Sequence, residues 1–474
     1  MRLRVRDVAV YSIPLQTRIP FRYGITTMRQ APHVFVRAAL EVEGGVVHGT
    51  AADLLAPKWF TKNPETGLED DFAEMLSTIR HACRAALELG KAGTVFDLWR
   101  KLSQAQRAWA EAQKIPPLLW GFGLSLVERA CLDAFCRATA MPLARAVIAN
   151  TLGIHLGDIH QELAGREPAE LLPAEPLRTL TARHTVGLTD PLTDAEILPD
   201  DRVEDGLPQS LEACISRYGL TRFKIKLGGD NEHDRTRLRR LAELLERQVP
   251  GFAFTLDGNE NYRAVAPFRE LWETLRADAA LAPFLERLIF VEQPLHRAVA
   301  LNSDTATELH AWPDRPPMII DESDGEPRSL RDALDARYIG VSHKNCKGVF
   351  RGIANACLLA HRRAAQRGAR FEISGEDLVN VGPVALLQDL AAVAMLGITH
   401  VERNGHHYFA GLSQFPDAIQ QQVLRQHGDL YVLHPEGFPT LAIERGELQI
   451  GSVVDAPFGT AFDLDVSELT PVSL

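Results

Sequence analysis

The run Phe223-Lys224-Ile225-Lys226, continuing as Leu227-Gly228-Gly229-Asp230, opens a series of five short apolar stretches that each end in a charge. Asp257 follows FAFTL (252–256), Glu292 follows LIFV (288–291), Asp321 follows MII (318–320), and Lys344 follows YIGVSH (338–343). A segment with helical periodicity separates each stretch from the next. Two further units follow, with strands expected at 370–373 and 398–402. Alternating strand and helix implies a parallel sheet. Seven or eight such units imply closure into a (β/α) barrel, whose chemistry sits at one rim. All five charges then project from that rim.

On the N-terminal side the pattern changes. Residues 1–14 and 33–50 alternate apolar and polar side chains, as paired antiparallel strands do, with Gly44-Gly45 as a hairpin turn. Between them, Thr17 to Arg29 reads as a loop carrying the aromatic pair Phe21 and Tyr23. Residues 67–150 read as helices, and Leu124, Val127, Cys131 and Ala134 mark one apolar face. Residues 1–185 thus read as an α+β domain and 186–430 as the barrel. The segment 431–474 returns to strand-like alternation and is expected to pack back on the first domain. An Asp/Pro-rich stretch at 189–208 and a long connection at 267–287 are additions around the barrel.

Composition narrows the function classes. The 474 residues, 46% hydrophobic, suffice for a large core, and 51 basic against 62 acidic residues give a net charge of -11. That balance argues against nucleic acid or an anionic membrane surface as partner. No apolar stretch approaches the ~18 residues of a membrane span, and the N-terminus lacks the apolar core of a signal peptide. Six scattered cysteines without a Cys-x-x-Cys pair suit free thiols in a reducing compartment. A soluble cytoplasmic protein is the expectation.

Lys224 and Lys226, two apart on a strand, leave from the same face. Two crowded ammonium groups disfavour each other's charge, so at least one is expected to have a lowered pKa. A lone strand-end Asp is more often the cap of the next helix. Three carboxylates on three consecutive strands, Asp257, Glu292 and Asp321, instead suit an octahedral Mg²⁺ that keeps open positions. Lys344 lies across the ring from Lys224 and Lys226. Lys347 stands near a helix start, where a cation is unfavourable, so it needs a neighbouring carboxylate or bound anion. Glu376, Asp377, His400, Glu402, His406 and His407 fall where the last two strands end. They read as a pocket rim rather than a second metal site.

As a set, FKIKLGGD, LDGNENY, FVEQPL, IIDES and SHKNCKG, with the N-terminal PFRYG, resemble the enolase superfamily, and within it the muconate lactonizing enzyme subgroup. The resemblance implies a modified TIM (β/α) barrel under an α+β capping domain made from the N-terminal residues and the C-terminal tail. It implies one Mg²⁺ per subunit held by Asp257, Glu292 and Asp321. Lys226 would be the base on one face of the substrate, with Lys224 as its electrostatic partner, and Lys344 the acid/base on the other. Phe21, Tyr23, Asn259 and Glu376 would contact substrate, while Glu322 and Lys347 would support the ligands from behind. The implied partner is a small carboxylate substrate, and the implied assembly a homo-oligomer. The implied reaction is racemisation or epimerisation through an enediolate; a lyase (dehydratase or succinylbenzoate-synthase type) or a cycloisomerase would use the same groups. A Schiff-base aldolase would need only the lysines, and the three carboxylates argue against it.

Overall fold

The computed structural model describes residues 2–474. Three antiparallel strands come first: β1 (Leu3–Tyr23), β2 (Thr26–Val42) and β3 (Gly45–Leu54). Over the first eight residues of β1 the buried positions are Leu3 and Val5, then Val8 and Val10. The change from odd to even coincides with a register shift between Val5 and Asp7. A bulge adds one residue and so moves the apolar face by one step, keeping Leu3 and Val5 aimed at the same core as Val8 and Val10.

The Gly44-Gly45 turn is present, with Gly44 at φ 92. The loop expected over Thr17–Arg29 is instead two paired strand arms that run to a turn at Gly24, with Phe21 opposite Met28 and Tyr23 opposite Thr26. Contacts to the rest of the chain explain the order. Phe21 stacks on Tyr408 at 4.0 Å between ring centres. Arg18 grips Asp205 of the Asp/Pro-rich stretch through two hydrogen bonds of 2.5 and 2.8 Å.

Helices α1 (Leu68–Glu88), α2 (Val95–Gln113) and α3 (Pro117–Thr139) complete the cap. α3 packs on β2 and β3 and is buried along most of its length. Gly49 permits the close approach: a Cβ there would lie 2.1 Å from the Ala134 nitrogen and 2.3 Å from the Ala130 oxygen. Glu128 of α3 accepts from the Phe350 amide at 2.7 Å, which ties the cap to the barrel.

Eight parallel strands follow: β4 (Thr179–Val186), β5 (Arg222–Lys226), β6 (Ala253–Asp257), β7 (Leu288–Glu292), β8 (Met318–Ile320), β9 (Gly340–His343), β10 (Glu372–Gly375) and β11 (His400–Arg403). Each pairs with its successor, and β11 pairs with β4, so the barrel is closed. β4 begins at Thr179, so the first stave lies inside the segment that the sequence pattern assigned to the cap. The strands are apolar on both faces because helices cover the outside while side chains fill the inside. The tail serves both halves. Its hairpin (443–449) adds to β4 antiparallel, and Thr470–Val472 pairs with β1 in the cap sheet. Among the described residues no helix is long and apolar enough to cross a membrane.

Gly49→Ala would drive a methyl group into the α3 backbone, which cannot retreat as a flexible side chain can. Stability should fall by about 1–3 kcal/mol, in the range of overpacked cores, read as a lower midpoint in chemical denaturation. An unchanged midpoint would contradict this packing.

Candidate active site

The staves place their C-terminal charges in one buried cluster. Lys224 and Lys226 leave β5, Asp257 ends β6 and Glu292 ends β7, while Asp321 and Lys344 directly follow β8 and β9. The last two staves add Glu376 and Glu402. All eight side chains are buried.

Lys224 is the hub. Its Nζ lies 3.0 Å from Asp257 Oδ2, 2.7 Å from Glu292 Oε2, 2.7 Å from Glu376 Oε2 and 3.0 Å from Glu402 Oε2. Lys226 donates to Asp257 Oδ2 at 2.7 Å. Asp321 belongs to a second group: Lys344 Nζ lies 2.5 Å from one oxygen, and Lys347 Nζ and the Ser342 hydroxyl lie 2.7 and 2.5 Å from the other. Lys347 therefore has its local reason in Asp321.

At Lys224 the electrostatics run opposite to the expected lowering. Burial opposes the Lys224 charge, but the four carboxylates outweigh it and hold this lysine well above its ordinary value. Lys344 is likewise raised, because Asp321 prevails over burial. Burial also opposes ionisation of Asp321, yet Lys344 and Lys347 hold it well below the usual carboxylate range. Glu292 goes the other way. Burial, with Glu376 as a like-charged neighbour, pushes it well above its ordinary value despite Lys224 at 2.7 Å. Glu322, beside Asp321, is pushed up to about 7 by burial and by Asp321.

A cavity of about 30 Å³ sits over the cluster, lined by Phe21, Tyr23 and Trp59 of the cap and by Lys226, Asn259 and Lys344 among others. Ligand pockets typically measure ~300–1,000 Å³, so admitting a substrate requires the cap edge to move. The Tyr23 hydroxyl donates to the Pro57 carbonyl at 2.8 Å, which leaves its ring, not its oxygen, for contact. The backbone N–H of Asn259 donates to Asp257 Oδ1 at 2.9 Å, and its backbone carbonyl accepts from Lys62. Glu376 is not on the cavity wall. Arg183, Ser374 and Lys224 hold it below the mouth, so the structure does not place it against a substrate.

Three participants escape sequence reasoning. Trp59 lies over Lys344, with Nζ 4.7 Å from the ring centre. Arg297 fixes this loop through the Trp59 and Phe60 carbonyls while bonding Glu260. Arg183 supports Glu376 from the first stave. Trp59 and Arg183 come from segments far along the chain from the strand-end charges, and Arg297, though only five residues after Glu292, is marked by no spacing of its own.

The donor set suits a hard divalent cation. All three candidate ligands are carboxylates, and neither Glu292 oxygen accepts a hydrogen bond with good geometry. The position between Asp257 and Glu292 already stabilises a positive charge, the Lys224 ammonium. The three carboxylates are nonetheless divided, Asp257 and Glu292 on Lys224 and Asp321 on Lys344 and Lys347. His400, Glu402 and His406 do not gather as a metal set: His400 turns to Arg183, Glu402 to Lys224 and His406 to His184.

The chain matches no protein-family model and none of the curated proteins. Solved structures share its architecture. An N-succinyl Arg/Lys racemase from Bacillus cereus ATCC 14579 aligns over 97% of this chain and 98% of its own, at a TM-score of 0.57 and 17% identity. A muconate lactonizing enzyme from Pseudomonas fluorescens, complexed with muconolactone, aligns over 94% of each chain at 0.56 and 15%. A dipeptide epimerase from Enterococcus faecalis V583, complexed with Mg and the dipeptide L-Leu-L-Tyr, aligns over 86% of this chain and 92% of its own at 0.55 and 17%. Together with the capped, closed barrel, these likenesses show that the chain shares the fold of those proteins, a modified (β/α) barrel under an α+β cap.

Proposed function

We propose that this protein is an isomerase that removes and returns a proton alpha to the carboxylate of a small organic acid, as a racemase or epimerase. The observation that carries the reading is the placement of Lys226 on the second stave and Lys344 after the sixth. In an eight-stave ring these positions are diametrically opposed, with Asp257, Glu292 and Asp321 on the staves between.

Asp257, Glu292 and Asp321 would hold a Mg²⁺ ion, which when bound supplies positive charge to the substrate carboxylate as its alpha proton leaves. Lys226 Nζ accepts that proton from one face, and Lys344 Nζ delivers a proton to the other, so the configuration inverts. For the opposite enantiomer the roles exchange, Lys344 first yielding to solvent the proton that Asp321 holds on it. Lys224 offsets the buried carboxylates around it and keeps the mouth from repelling an anionic substrate. Phe21, Tyr23 and Trp59 form the lid that excludes water, and Asn259 lines the same cavity.

The racemase and epimerase among the structural neighbours support this reading. The neighbour complexed with muconolactone favours a second one, a cycloisomerase or lyase in which one lysine alone handles the proton and a beta bond forms or breaks.

Proton NMR in D₂O separates the two. With an acid turned over by the wild type, Lys226→Ala and Lys344→Ala should each slow alpha-proton exchange by about 10²–10⁴-fold, each from a different enantiomer. Wild-type exchange from both enantiomers in both variants would end the two-base account. Loss in one variant only would favour the lyase or cycloisomerase. Chelation of divalent metal should abolish exchange and added Mg²⁺ restore it, whereas full turnover in chelator would contradict the metal assignment.

A further inference from the structure

Outside the barrel mouth, a second buried cluster lies at the seam where the barrel closes. His184 is on β4, the first stave, and Cys214 on the helix Leu211–Tyr218 that precedes β5. His407 is on the short helix Gly405–Tyr408 that follows β11, the last stave. All three are buried, and one candidate ligand atom from each lies within 4.8 Å of the others. None of them lines the cavity over the carboxylate cluster.

The spacing and the chemistry agree. Zinc bound tetrahedrally at ~2.0–2.1 Å to nitrogen and ~2.3 Å to sulfur keeps neighbouring ligand atoms about 3.3–3.8 Å apart. Cys214 Sγ and His407 Nδ1 are 3.6 Å apart. A carboxylate stands behind the ring: Asp190 Oδ2 lies 3.7 Å from His407 Nε2, which has no hydrogen-bond partner of its own. Asp190 is itself fixed by the Tyr408 hydroxyl and the Gly187 amide, each at 2.7 Å. A carboxylate behind a ligating histidine is the usual way proteins orient such a ring. His406 Nε2 lies 3.2 Å from His184 Nδ1 and helps to hold that ring in place.

We infer that His184, Cys214 and His407 form a binding site for a thiolate- and imidazole-preferring divalent cation, zinc above all, with water in the fourth position. Binding is chemically simple: Cys214 gives up its thiol proton to solvent and Sγ donates to the metal, with no change of oxidation state. Such an ion would join the first and last staves and the helix leading to the lysine strand. It would also brace the cap, because Tyr408, adjacent to His407, carries the stacked ring of Phe21. The site shares no ligand with the carboxylate cluster, so it stands or falls independently of the proposed reaction.

The test loads the full-length protein with Zn²⁺ or Co²⁺ in Mg²⁺-containing buffer, dialyses, and measures metal content and absorption. The wild type should retain one zinc per chain, and its cobalt form should show a thiolate-to-cobalt charge-transfer band. Cys214→Ala should lose both, while Glu292→Gln, altered in the other cluster, should keep both. Failure of the folded wild type to retain zinc would overturn the inference, even if Cys214→Ala cannot be produced. A cobalt spectrum without the thiolate band, or equal retention by Cys214→Ala, would also overturn it.

Discussion

Everything at the barrel mouth is governed by the need to keep several carboxylates charged away from water. Asp257, Glu292, Glu376 and Glu402 all reach Lys224, and no water-facing side remains to share the burden. An ion pair buried this deeply gains stability only if every member is matched. Removal of one partner typically costs about 3–5 kcal/mol, because the other charge is left stranded. Lys224 matches Asp257 and Glu402, which stay below the ordinary carboxylate value against the opposing effect of burial. It does not match Glu292, which burial and Glu376 push up. Glu376 is likewise raised by burial, and a divalent cation beside Glu292 would offset the crowding of these two carboxylates.

The fold supplies the rest by geometry. Parallel staves end at one level, so charges distant along the chain meet without any loop having to reach. The cap then controls access. Its hairpin tip brings Phe21 and Tyr23 over the mouth, Arg18 and Tyr408 hold the arms, and Arg297 sets the Trp59 loop over Lys344. The cavity beneath these rings measures about 30 Å³, too small for a substrate unless the cap edge moves. In the proposed reaction the cap edge would set specificity, whereas the staves would carry the proton transfer.

The sequence makes the staves legible because each carries its own signal, a short apolar run with a charge at its end. Asp257, Glu292, Asp321 and both lysine sets could be placed from that pattern alone. What could not be placed depends on neighbours from other segments. Lys224 and Lys226 suggest mutual repulsion when only their spacing is visible. The four carboxylates that reverse this come from the third, fourth, seventh and eighth staves. Thr17–Arg29, with Pro20 and Gly24, looks like a loop because nothing in its own residues reveals the Tyr408 ring or Asp205. Glu376 follows its stave as the other charges do, yet Arg183 draws it beneath the mouth. Trp59 sits in a connection after β3 with no periodicity to mark it.

The central claim, that a divalent cation binds beside Glu292, is tested most directly by calorimetric titration of Mg²⁺ into the metal-stripped protein. The account predicts one ion bound per chain by the wild type and its loss in Glu292→Gln, which keeps the side-chain shape and removes the charge. Undiminished binding by Glu292→Gln, or no binding by the wild type, would contradict it.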